Sequence, residues 1–136
     1  MEESIRQHFQ LGEKDVRSYS PLTLAYIGDG VYEIVIRTVV VSKGNRPPKE
    51  LHKAGVDLAK AQTQAKMMEA IKPALTEEEA AVYKRGRNAN TATMAKHASM
   101  QEYRKATGFE ALLGYLYLAG KKDRIMELVK IGWESL

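Results

Sequence analysis

The sequence predicts an all-α fold. Apolar residues recur at helical spacing along most of its 136 residues, helix-opening signals precede the apolar runs, and no segment alternates apolar and polar residues over a strand's length. A chain of this size buries a core without staples. No repeat, low-complexity tract or glycine-serine linker divides it, so it reads as one domain, 1–136.

Ser20-Pro21 reads as an N-cap followed by proline at the first helical position. That helix is expected to run to about Ser42, where Lys43-Gly44-Asn45 stops it. Its β-branched end, Ile34-Val35-Ile36 and Val39-Val40-Val41, mimics a strand, but the helical context and lack of alternation favour helix. Pro47-Pro48 opens the next helix, in which Leu51, Ala54, Leu58, Ala61, Ala65 and Met68 step by threes and fours to Lys72-Pro73. Thr76 and Glu79 form a capping box for a short helix ending near Gly86. Asn88 to Ala98 is small, polar and weakly periodic, and reads mostly as exposed loop. Helices follow from Met100 or Gln101 to Gly120, with a break expected near Thr107-Gly108, and from Lys122 onward, anchored by Ile125, Met126, Leu128, Val129 and Trp133.

The net charge is +4, and one segment carries the excess. Between Lys84 and Lys105, the cations Lys84, Arg85, Arg87, Lys96, Arg104 and Lys105 face Glu102 alone. A local basic block on a near-neutral chain points to a polyanion, although a solvated surface explains it equally well. Cysteine is absent, which excludes disulfides and cysteine metal sites and fits a reducing cytoplasm. Met1-Glu2-Glu3-Ser4 has no signal-peptide character, and the run Ile34–Val41 is too short to span a bilayer.

No P-loop, zinc-type histidine pair or nucleophile elbow is present, and His8, His52 and His97 lie far apart in unlike contexts. Carboxylates remain. Asp29 and Glu110 each sit in a dense apolar helical pattern, where an unassisted charge is costly. Oxygen ligands of this kind suit Mg²⁺, which takes one or two carboxylates and keeps several waters. Bland readings stand beside this one. Asp29 can bond a backbone group or an arginine, and Thr107-Gly108-Phe109-Glu110 fits a capping box, which wins for Glu110 on spacing alone. Glu33, one turn after Asp29, is a supporting or surface residue.

Three strings change those odds. Leu24-Ala25-Tyr26-Ile27-Gly28-Asp29, Arg85-Gly86-Arg87-Asn88-Ala89 and Phe109-Glu110-Ala111-Leu112-Leu113-Gly114-Tyr115-Leu116-Tyr117-Leu118 resemble, in that order, motifs of the ribonuclease III endonuclease domain. The closest resemblance is to its Mini branch, which consists of the catalytic domain without a double-stranded-RNA-binding domain. Ribonuclease III itself carries a glutamate one turn before the signature aspartate and an aspartate one turn before the last glutamate. Here those positions are Ala25 and Thr107, which puts a second metal ion in doubt.

The resemblance implies a helical homodimer whose two sites each cut one strand of double-stranded RNA by metal-assisted hydrolysis, leaving 5′-phosphate and 3′-hydroxyl ends. Asp29 and Glu110 would be the catalytic residues and ligands of Mg²⁺, with Mn²⁺ as a substitute. The implied substrate is precursor 23S ribosomal RNA, and the implied location the cytoplasm. Phosphate contacts are expected from Lys84, Arg85, Arg87, Lys96, His97, Arg104 and Lys105, with hydrogen bonds from Asn88, Asn90 and Thr91, because duplex RNA is read through its phosphates, 2′-hydroxyls and shape. Arg85 and Arg87 flank a glycine that permits close approach. Two other classes remain: a catalytically inactive ribonuclease III-like domain that binds structured RNA, and a helical protein-interaction module built on the 51–68 stripe.

Overall fold

Ser20 opens its helix as expected. Its hydroxyl accepts the Thr23 N–H at 3.2 Å, and Pro21 takes the first helical turn. The computed structural model describes residues 1–89 and 99–136, and all its regular elements there are helical. They are α1 (Glu2–His8), α2 (Pro21–Ser42), α3 (Pro48–Ala59), α4 (Ala61–Ile71), α5 (Glu77–Asn88), α6 (Met100–Leu118) and α7 (Lys122–Glu134), with single 3-10 turns at Val16–Ser18 and Lys72–Ala74.

α6 is the axis. It packs on α2, α4, α5 and α7, so it is buried on nearly all sides: Phe109, Leu112, Leu113 and Leu116 are fully buried. A helix apolar all round belongs in that position. Tyr32 of α2 meets Phe109 edge-on, with ring centroids 5.3 Å apart, and its hydroxyl donates to the Leu58 carbonyl at 2.7 Å. Met67, Met68 and Ile71 of α4 and Ile125 and Leu128 of α7 close the core.

The structure corrects four expectations. The helix opened by Pro48 does not run through to Lys72, because Lys60 is extended (φ −60°, ψ 145°) and separates α3 from α4. No proline or glycine marks that break. It is made possible by side chains: Thr63 Oγ1 donates to the Asp57 carbonyl at 2.8 Å and Gln64 Nε2 to the Ala59 carbonyl at 3.0 Å, satisfying acceptors that the interrupted helix leaves open. Secondly, α6 is continuous through Thr107-Gly108; the capping box belongs to Ser99 and Glu102, not to Thr107 and Glu110. Thirdly, α5 ends at Asn88, two residues past the expected Gly86, with Ala89 extended; residues 90–98 of the expected loop lie outside the described residues. Fourthly, Met126 is exposed on α7 rather than anchoring it. The N-terminal α1, which lines up no residue in the core, carried no sequence expectation.

α5 is tied to α7 by charge. Glu79 is buried, closes the Thr76 capping box, and accepts from Arg124 through both carboxylate oxygens at 2.8 Å. Arg124 also donates to the Ala74 carbonyl at 2.7 Å.

Candidate active site

The approach of α2 to α6 makes the site. A Cβ added at Gly28 would lie 1.7 Å from the Glu110 carbonyl oxygen, and one at Gly114 would lie 1.9 Å from the Leu24 carbonyl oxygen. The two backbones therefore cross with nothing between them, which only glycine allows. Residue 29 follows residue 28 round the helix, so the crossing delivers the Asp29 carboxyl to the Glu110 carboxyl within hydrogen-bonding reach.

Of the two, Asp29 is exposed and Glu110 half-buried, so the cost of burial falls on Glu110, contrary to the equal expectation for both. Burial first, and Asp29 beside it second, push the Glu110 carboxyl up to about 8; the amide of Gln64 works weakly in the other direction. Neither carboxylate is in an ion pair among the described residues. Two facing carboxylates without a basic partner, one resisting ionisation, are what a hard cation relieves, so the donor set fits a divalent ion. No third acidic, histidine or cysteine side chain joins them among the described residues.

The two positions where the resemblance would place further carboxylates are closed to ligation. Ala25 is buried in the crossing, and buried Thr107 donates its hydroxyl to the Tyr103 carbonyl at 3.0 Å. Glu33 pairs with Arg37 at 3.0 Å and so stays a surface residue.

The chain belongs to the ribonuclease III family. The family model described as Ribonuclease III domain matches residues 22–121, the span that holds both carboxylates. Proteins named Mini-ribonuclease 3 are similar over most of their length. The one from Clostridium tetani is 46% identical, covering 93% of this chain and 87% of that relative. The one from Thermoanaerobacter is 47% identical over 89% and 85% respectively. A crystal structure of a Fusobacterium nucleatum protein superposes with a TM-score of 0.79 at 34% identity, covering 88% of this chain and 97% of that one. The ribonuclease III fold and a double-stranded-RNA endoribonuclease activity follow from this membership, as does dependence on a divalent metal ion.

Of the basic residues expected to meet RNA, Lys84, Arg85 and Arg87 sit on α5, which packs on α6 on a different face from the one that carries Glu110 toward α2. Gly86 is pressed against Gly108 and Ala111 of α6, the turn that carries Glu110; an added Cβ would sit 2.7 Å from the Ala111 methyl. Lys84, Arg85 and Asn88 are exposed around that contact, and the Arg87 guanidinium lies 5.8 Å from the centre of the Tyr83 ring. Lys96 and His97 lie outside the described residues. Lys105 is held by Glu69 at 2.6 Å, with its side chain 19% exposed, so it is not a free cation of the basic block.

Sequence reasoning missed Gln64. It is 3% exposed on the first turns of α4, and its amide faces the Glu110 carboxyl. The signal was faint: one glutamine interrupting the apolar steps between Ala61, Ala65 and Met68.

Proposed function

We propose that the chain, as a single catalytic domain spanning 1–136, is an Mg²⁺-dependent endoribonuclease that hydrolyses double-stranded RNA to 5′-phosphate products. The observation that carries this reading is the Asp29–Glu110 pair, two facing carboxylates with no cationic partner among the described residues, at a crossing built from glycine. Asp29, exposed, offers its oxygens to the cation and to the RNA side. Glu110, half-buried, gives the second oxygen donor, and its reluctance to ionise alone ties its charged form to an occupied site. A bound divalent ion supplies charge neutralisation at the scissile phosphate and activates water for attack on phosphorus. Arg85 and Arg87 hold backbone phosphates and Lys84 and Asn88 contribute at the same helix end; Lys96 and His97, outside the described residues, are assigned phosphate contacts from the sequence alone. Mn²⁺ substitutes for Mg²⁺.

The working form is a homodimer. Leu22, Tyr26, Ile34 and Val41 are exposed along α2, an apolar flank that a second copy would cover, and cutting both strands calls for two sites. The physiological substrate, by family resemblance, is precursor 23S ribosomal RNA in the cytoplasm. Incubation with long double-stranded RNA, with and without Mg²⁺, tests the reading. Short duplex products formed only with the metal bear it out, and binding without cleavage identifies the inactive RNA-binding domain instead.

A further inference from the structure

Two carboxylates are a sparse ligand set, and a third polar group stands next to them with one atom unused. Gln64 is 3% exposed, and its Oε1 is buried without a hydrogen-bond partner among the described residues. Its Nε2 donates to the Ala59 carbonyl at 3.0 Å. That bond fixes which end of the amide is which, because a flip would set Oε1 against the carbonyl oxygen of Ala59. The amide nitrogen, which has two N–H groups, also faces the Glu110 carboxyl. A buried carbonyl oxygen left unpaired costs stability, and a native fold keeps one where something else completes it.

The break between α3 and α4 is what puts it there. Had the helix run on through Lys60, the Ala59 carbonyl would bond a backbone N–H and would not hold the Gln64 amide. Capping Ala59 needs only the amide nitrogen. The oxygen is surplus to that structural task.

We propose that Gln64 is the third arm of the cation site: its amide steadies the Glu110 carboxylate, and its Oε1 accepts a hydrogen bond from the hydration shell of the ion held by Asp29 and Glu110. This rests on the metal reading of the two carboxylates. It makes Gln64 a positioning residue, which completes the shell that the missing carboxylates at Ala25 and Thr107 leave thin. Outer partners of this kind are worth about 10- to 100-fold in metal affinity.

The test titrates the full chain with Mn²⁺ alone, reading free Mn²⁺ by electron paramagnetic resonance, for wild type, Asp29→Asn, Gln64→Leu and Gln64→Glu. Both Gln64 variants lose the donor to Ala59 and should melt lower than wild type; they differ in that Glu keeps an oxygen. Expected is a roughly tenfold weaker Kd for Gln64→Leu and wild-type or tighter binding for Gln64→Glu. Equal weakening of both variants, or wild-type affinity in Gln64→Leu, overturns the inference and leaves Gln64 a cap for α3. Unchanged binding in Asp29→Asn overturns the metal reading itself, and the inference with it. A second measurement needs no variant. On adding Mg²⁺ to wild type, the Gln64 side-chain amide resonances should move together with the Asp29 backbone resonance, and still resonances of Gln64 while Asp29 moves would count against it.

Discussion

Gly28 lies against the main-chain carbonyl of Glu110 so closely that a methyl group at residue 28 would sit 1.7 Å from that oxygen. The contact sets the distance between α2 and α6, and through it the distance between the two carboxylates. Gly28→Ala must push the helices apart and should cost about 3 kcal/mol or more, with loss of cleavage. Gly55, in α3, has nothing within 4 Å of an added Cβ, and Gly55→Ala should be neutral or stabilise by about 0.5–1 kcal/mol. Thermal melts of the two variants check the contrast.

Asp29→Asn keeps shape and removes charge. Turnover on duplex RNA should fall at least about a hundredfold, since a mispositioned ion forfeits several kcal/mol at the transition state. RNA binding and the melting temperature should hold. Glu110→Gln should behave alike; a variant that merely melts lower, with full turnover at limiting Mg²⁺, would contradict its role.

Stability of the metal-free protein should depend on pH through Glu110. In the fold its carboxyl is pushed up to about 8 by burial and by Asp29, against 4.5 for an unperturbed glutamate. Between those values the folded chain keeps a proton that the unfolded chain has lost. The contribution is therefore complete below pH 4.5 and drains away as the pH rises through 8. Denaturant titrations across that window should show wild type losing stability relative to Glu110→Gln, and saturating Mg²⁺ should flatten the difference.

Arg124→Met should destabilise by about 3 kcal/mol, because it leaves the buried Glu79 carboxylate without its partner. The Arg124 guanidinium, the largest cause, holds the Glu79 carboxyl below its usual value of 4.5. Its contribution is present above that value and is lost as the pH falls through the lowered one, the opposite sense to Glu110. Acid unfolding of wild type and variant should converge at low pH.

Arg85→Ala combined with Arg87→Ala should weaken binding to many duplexes alike. Each lost phosphate contact removes roughly 0.7–0.9 from the slope of log affinity against log salt. Cleavage at saturating RNA should suffer less than at low RNA, since Asp29 and Glu110 are untouched. Lys105→Ala, whose cation already faces Glu69, should leave that slope unchanged and lower stability instead.

Local signals were legible in the chain. Ser20 with Pro21, and Thr76 with Glu79, start their helices where side-chain chemistry says they must, because a cap is satisfied within one turn. Asp29 and Glu110 were legible as a motif pair. Their proximity was not, since it rests on a helix crossing between residues far apart in the chain. The division at Lys60 was hidden as well: no breaker marks it, and the reward for turning there is the burial of Met67, Met68 and Ile71 against α6 and α7. The same turn carries Gln64 to the site. Sequence by itself marked where α2, α3, α5 and α7 begin and singled out Asp29 and Glu110 as candidate acids; tertiary packing decided where α3 gives way to α4, which acid bears the burial, which lysine is already paired and which amide stands beside the carboxylates. Caps and periodicity act over a few residues, whereas desolvation and charge pairing depend on every element that closes over a group.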